Sequence, residues 1–214
     1  MRGYPCDRVA KGPRGFCRNQ RLVRALRLSA LVIALVAIAV PASAQAEMPS
    51  PVLVVGDSLA VGMRPYLGTM LGSSEVVWDA RSGRTTPEGL VRLRARLREV
   101  TPQTVVISLG TNDGPDPARF ASRIRSALEA IPVSACIVWA DINRPPRKGR
   151  YHALNHVLEQ AAQHDPRIVL VHWDRAVLRR SVSLPDGLHP DAPGFRYRSL
   201  MVAGAIARGC TAAA

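Results

Sequence analysis

Beyond residue 50 the chain repeats one pattern. A short run of consecutive apolar residues is followed by a turn and then by a longer stretch with apolar residues every three or four positions. The runs are 52–55 (VLVV), 76–78 (VVW), 104–109 (TVVISL), 136–140 (CIVWA) and 168–173 (IVLVHW). None alternates apolar and polar residues, as a strand with one wet face does. Continuous runs rich in β-branched residues suit strands covered on both faces, the condition of a parallel sheet. Between the runs, Leu90, Leu93 and Leu97 line one helical face, with arginines on the others. Phe120, Ile124, Ala127, Leu128 and Ile131 form a second stripe of helical period, and Leu154, Val157, Leu158, Ala161 and Ala162 a third. Five strands alternating with helices predict a doubly wound α/β fold. The stretch 174–190 is the one long region expected to be irregular.

The first 44 residues follow a different pattern. Arg18, Arg21, Arg24 and Arg27 precede the apolar run 28–40, whose 13 residues fall short of the roughly 20 that a bilayer-spanning helix needs. Pro41 ends the run, and the small residues Ala42, Ser43 and Ala44 follow. A basic start, an apolar middle and a small-residue exit make a signal peptide pattern. Residues 1–44 are therefore expected to be a signal peptide, or an N-terminal membrane anchor where uncleaved. Residues 51–210 are the expected folded domain, placed outside the cytoplasm as a secreted, periplasmic or cell-envelope protein.

Composition narrows the picture further. With 214 residues, 47% apolar and 21% charged, the chain can bury an ample core in one domain, which excludes wholesale disorder. The formal charge of +13 invites a nucleic-acid reading. Eight of the basic residues, against Asp7 alone, lie in the first 44 positions, and Lys11 and Lys148 are the only lysines. Export and this arginine bias argue against a nucleic-acid partner, and any membrane contact would run through an uncleaved N-terminus. Cys6 and Cys17 fall in the basic start. Cys136 and Cys210 remain as an even pair in an oxidising compartment, and are expected to form a disulfide between the fourth strand and a C-terminal helix. His152 and His156 stand four apart on a predicted helix. They lack a third ligand and the glutamate of an H-E-x-x-H motif, so no metal site is expected.

In open α/β sheets, ligands sit beyond the carboxyl ends of the strands. Polar blocks follow each run: Gly56-Asp57-Ser58-Leu59, Ala80-Arg81-Ser82-Gly83-Arg84, Gly110-Thr111-Asn112-Asp113, Asp141-Ile142-Asn143-Arg144 and, in the long loop, Asp186-Gly187-Leu188-His189-Pro190. Ser58, at a glycine turn that opens a helix, is either a helix cap or an exposed nucleophile. As a nucleophile it needs a base, and His189 fits, with Asp186 holding the other ring nitrogen. Asn112 offers an N–H donor to a developing oxyanion, although Asn112 and Asp113 equally suit a turn or a helix cap. Gly83 permits close backbone approach, or is an ordinary turn glycine.

Taken together and in order, these blocks resemble the SGNH (GDSL) hydrolase superfamily across essentially the whole mature chain. Gly56-Asp57-Ser58-Leu59, Gly110-Thr111-Asn112-Asp113 and Asp186-Gly187-Leu188-His189-Pro190 carry the resemblance, and the block around Gly83 is its loosest part. The resemblance implies a three-layer α/β/α sandwich with a five-stranded parallel sheet. It implies Ser58 as nucleophile, His189 as general base and Asp186 as its partner. The Ser58 and Gly83 amides and the Asn112 side chain would form the oxyanion hole, while Asp57 and Asp113 would anchor loops. Neither a metal nor an organic cofactor is implied. The expected activity is hydrolysis of a small-molecule or glycan ester. An exported esterase would remove a short acyl group, acetyl foremost, from a polar carrier such as a cell-envelope glycan. An O-acyltransferase would use the same acyl-enzyme. A non-catalytic carbohydrate-binding module would leave the coincidence of Ser58, Asn112 and His189 unexplained. Arg81, Arg84 and Arg144 are expected at the substrate, where guanidinium groups grip carboxylate or phosphate.

Overall fold

A computed structural model describes residues 51–72, 74–179 and 182–210. The expected signal peptide, with Cys6 and Cys17, lies outside the described residues. The strands are β1 (Val52–Gly56), β2 (Val76–Ala80), β3 (Thr104–Ser108), β4 (Cys136–Ala140) and β5 (Ile168–Val171). The helices are α1 (Ser58–Met70), α2 (Thr86–Arg96), α3 (Pro117–Ala130), α4 (His152–His164), α5 (Trp173–Leu178) and α6 (Ala192–Gly209). The five strands are all parallel, in the order β2-β1-β3-β4-β5.

Side chains of successive strand residues point to opposite faces, and here both faces are dry. Leu53, Val55, Val105, Ile107, Ile137 and Trp139 pack under α2, α3 and α4. Val52, Val54, Val106, Val138 and Val171 pack under α1 and α6, against Met63, Leu67 and Val202. This double burial explains why the runs show no alternation. The helices begin where the sequence supplies caps. Asp57, Asp116 and Asp191 each accept a first-turn N–H, and Thr85 with Glu88 forms a capping box on α2.

Two expectations are corrected. The fifth strand ends at Val171, and Trp173, the last residue of the expected strand run, opens α5, which continues to Leu178 within the stretch expected to be irregular. Asp141 accepts the Asp174 N–H at 2.8 Å and so fixes the first turn of this short helix. Trp173 is fully buried, and a polar side chain from α6 lies against its ring, a pairing that an apolar run cannot disclose. Cys136 and Cys210 are joined by a disulfide, with Cα atoms 5.4 Å apart, tying the end of α6 to the start of β4. Among the described residues, no helix is long and apolar enough to cross a membrane.

Candidate active site

Ser58 is the first residue of α1, and Gly56 and Asp57 set its position. A Cβ on Gly56 would lie 2.3 Å from the Ala60 Cβ and 3.0 Å from the Ser108 carbonyl oxygen, so only glycine lets the chain turn this close to β3. Asp57 is buried. Its Oδ1 accepts the Leu59 N–H at 2.9 Å, and its own N–H donates to the Ser108 carbonyl at 3.0 Å. The Ser58 N–H is among the first-turn donors that no helical carbonyl takes up.

The last block folds around one carboxylate. Asp186 Oδ1 accepts the N–H groups of Leu188 and His189 at 2.9 and 2.7 Å. Asp186 Oδ2 lies 2.7 Å from His189 Nδ1, and His189 Nε2 lies 2.8 Å from Ser58 Oγ. Buried Leu188 and Pro190 pin the loop on either side of the imidazole. The His189 ring, and then these two N–H groups, hold the Asp186 carboxyl well below the usual carboxylate range. With Nδ1–H donating to Asp186, Nε2 is left as the acceptor that faces the serine hydroxyl.

The other blocks are tied to one another. Gly83 takes φ +76°, in a turn that the Arg84 N–H closes onto the Arg81 carbonyl at 3.2 Å. Residues with side chains seldom adopt that conformation. The Arg81 N–H donates to the Gly56 carbonyl at 3.1 Å, linking the glycine turn to the first block. Asn112 Nδ2 donates to the Arg84 carbonyl at 3.2 Å, which links the third block to the same turn and leaves the amide a second N–H. Asp113 anchors rather than faces the cleft. Its Oδ1 accepts the Thr86 N–H at 2.8 Å, and Arg123 pairs with it at 2.8 Å.

Two of the three arginines expected at the substrate are not available to it. Arg84 is buried and ion-paired with Asp79 at 2.8 Å, and it also donates to the carbonyls of Asp79 and Gly56. Arg144 is buried and donates to the carbonyls of Asp113, Thr111 and Gly149 at 2.5, 3.2 and 3.0 Å. Loops at a sheet edge present many carbonyls without helical donors, and a five-donor guanidinium satisfies several at once. Arg81 is exposed and pairs with Glu88 at 2.7 Å.

Sequence reasoning missed the polar layer beneath the site. Arg198 of α6 is fully buried, with its guanidinium 4.6 Å over the Trp173 ring and Nη2 3.1 Å from Ser108 Oγ. Burial lowers it to about 10, against the pull of Asp57 and Asp141, so it stays a cation at neutral pH. Burial pushes the Asp57 carboxyl up to about 6, opposed by the Leu59 N–H and by Arg198. Asp141 is raised too, by burial and by its neighbour Asp174. A signal was present in the sequence. Arg198 shares a helical face with Val202 and Ala205, both core residues.

The GDSL-like lipase/acylhydrolase family profile matches residues 54–197, which span every block described above. The chain belongs to this family. Its curated relatives include an arylesterase of Vibrio mimicus, 29% identical over 69% of this chain and 84% of the relative. Esterase TesA of Pseudomonas aeruginosa is 34% identical over 78% of this chain and 90% of the relative. Among solved structures, a Clostridium thermocellum family 3 carbohydrate esterase superposes with a TM-score of 0.63 at 17% identity, covering 76% of this chain and 98% of that one, and so shares the fold. As a GDSL-family protein with esterase relatives, the chain is a carboxylic ester hydrolase.

Proposed function

We propose that this GDSL hydrolase is an exported serine esterase that removes a short acyl group, acetyl foremost, from a polar carrier such as a cell-envelope glycan. The observation that carries the reading is the unbroken chain from Ser58 Oγ through His189 to Asp186, with contacts of 2.8 and 2.7 Å. In the reaction, Ser58 Oγ attacks the ester carbonyl while His189 Nε2 takes the hydroxyl proton. Asp186 steadies the imidazolium that results. The carbonyl oxygen becomes an oxyanion, for which the Ser58 and Gly83 amides and the second Asn112 N–H are the donors. His189 returns its proton to the departing alcohol, leaving an acyl-Ser58 ester. Water, deprotonated by the same imidazole, then releases the acid and restores the serine.

The acyl preference rests on openness. The His189 and Asp186 side chains are 39% and 53% exposed, whereas a long acyl chain needs an enclosed apolar pocket. Export rests on the N-terminal pattern, and the Cys136–Cys210 bond suits an oxidising compartment. Ser58→Ala is expected to abolish nearly all ester hydrolysis and labelling by a serine-directed phosphonate, while the circular dichroism spectrum stays native. Acetyl esters of a chromogenic alcohol are expected to turn over faster than palmitoyl esters. Full activity in folded Ser58→Ala, or preference for palmitoyl, would overturn the reading.

A further inference from the structure

A groove of about 590 Å³ runs along the outer edge of β2, between α1 and α2. That is the size of a small-molecule site, since such sites span roughly 300–1,000 Å³. Its upper end adjoins the candidate active site on two sides. Val61, on its α1 wall, stands three residues after Ser58, about 4.5 Å along the helix axis. Arg81, on the opposite wall, stands two residues before Gly83. Trp78, half-buried, supplies a flat apolar surface between them.

The groove's charge is lopsided. Five of its lining residues are arginines and two are carboxylates. Three guanidinium groups converge on the single buried carboxylate of Asp79. Arg84 lies 2.8 Å from Oδ1, and Arg92 and Arg96 lie 2.9 and 2.8 Å from Oδ2. Those contacts hold Asp79 below its ordinary value, so it remains an anion. Arg96 is also paired with Glu99 at 2.6 Å, so two carboxylates face three guanidinium groups and an excess of positive charge remains. Arg84 is buried, while Arg92 keeps 44% of its side chain exposed to the groove and its surroundings. On the facing helix, Arg64 is exposed and makes no ion pair among the described residues. Concave, part-desolvated sites with excess positive charge hold anions far better than a flat surface does.

Resting on the esterase reading above, we infer that this groove is the subsite for the carrier half of the ester, and that it takes a glycan bearing carboxylate groups. An ester carbonyl seated among Ser58, Gly83 and Asn112 would extend its carrier past Val61 and Arg81. There Trp78 offers a face to a sugar ring, and Arg64 and Arg92 offer bidentate grips to carboxylates. The arginine set expected from the sequence is thereby changed. Arg81 stays, Arg84 is taken up by Asp79 and the Gly56 carbonyl, Arg144 drops out, and Arg64 and Arg92 enter, while Arg96 is held between Asp79 and Glu99.

The test compares kcat/KM for an O-acetylated oligogalacturonide, which is anionic, with that for an O-acetylated xylo-oligosaccharide, which is neutral. The wild-type enzyme is expected to favour the anionic ester by about tenfold or more, through KM, with the preference shrinking between 50 and 500 mM NaCl as charges are screened. Arg64→Gln and Arg92→Gln are each expected to cut the anionic-to-neutral ratio several-fold, and Arg64→Glu to cut it further. Because the readout is a ratio, a general loss of active protein cancels. Calorimetric binding of deacetylated oligogalacturonide gives a second readout that needs no catalysis, and it is expected to weaken in the same variants. Equal kcat/KM for the two esters, or a ratio that these substitutions leave unchanged, would overturn the inference while leaving the esterase reading intact. Inorganic phosphate displacing the oligogalacturonide at equal concentration would overturn the assignment to carboxylates. Hydrolysis surviving in folded Ser58→Ala would instead remove Ser58 as the nucleophile, while unchanged calorimetric binding in Arg64→Gln and Arg92→Gln would by itself overturn the groove assignment.

Discussion

Asp57 and Asp186 are both aspartates that flank the same serine–histidine pair, and their surroundings push them in opposite directions. Asp186 is half exposed and receives donors from the His189 ring and from two backbone N–H groups, which keep it charged well below the usual carboxylate range. Asp57 is fully buried, and desolvation outweighs the Leu59 N–H and the Arg198 cation, so its carboxyl rises to about 6. The number and aim of donors decide the first case, and the absence of water decides the second. The site therefore has two layers, an open upper one that holds the proposed catalytic residues and a dry lower one that fixes where the upper one stands.

The comparison breaks first at its upper layer. Asp186→Asn keeps the shape of the side chain but can offer the His189 ring a donor in place of an acceptor. The imidazole is then stabilised in the wrong tautomer, with its proton toward Ser58. A loss of about 10²–10⁴ in kcat is expected, the scale of general base catalysis, with KM moving far less. A folded Asp186→Asn enzyme with kcat near that of the wild type would show that Asp186 merely shapes the loop.

The lower layer answers to a different measurement. Arg198→Met approximates the length of the side chain and removes the charge that faces Asp57 and Asp141. Removing one partner of a buried charge group typically costs about 3–5 kcal/mol, because the remaining charges are left uncompensated. The cost should appear in the unfolding midpoint. In the fraction that remains folded, kcat is expected to fall less than in Asp186→Asn, since Arg198 meets the site through Ser108 and Asp57 rather than through substrate. Unchanged stability would mean that the cation does not hold the layer together.

The upper layer was largely legible in the sequence, and the lower one was not. Parallel strands bury both faces, so their runs stand out as unbroken apolar stretches, and the blocks that follow mark the edge that holds the candidate site. Ser58, His189 and Asp186 could be named because each follows a strand or sits in a compact loop motif. Arg84 and Arg144 misled because sequence position shows that an arginine lies near the edge, but not whether it turns outward to substrate or inward to carbonyls. Arg198 was hidden by the opposite circumstance. It lies in the last helix, far along the chain from Asp57, and only packing brings them together. The groove along β2 was half legible, since the arginines of α2 were visible as the polar faces of a helix. Their convergence on Asp79 depends on an edge strand whose outer flank no residue pattern announces.

Asp57→Asn is the mildest of these changes, and it isolates the lower layer's titration. Asparagine keeps the oxygen that accepts the Leu59 N–H and removes only the ionisable group. In the wild type, Asp57 titrates near 6 when folded and near 3.8 when unfolded. Between those values the folded state holds a proton that the unfolded state has released, so folding becomes less favourable as pH rises. The contribution is complete below about pH 4 and is lost as pH passes through 6. A shift of this size corresponds to about 3 kcal/mol at most. Other groups titrate in the same range, but they are common to both proteins and cancel in the difference. The stability of the wild type minus that of Asp57→Asn, from denaturant titrations between pH 4 and 7.5, is therefore expected to decline with pH and flatten above about 7. A difference that is constant across the range would mean that Arg198 fully offsets the desolvation of Asp57. A difference that rises with pH would mean that the carboxylate is the favoured form, and that Asp57 and Asp186 are alike after all.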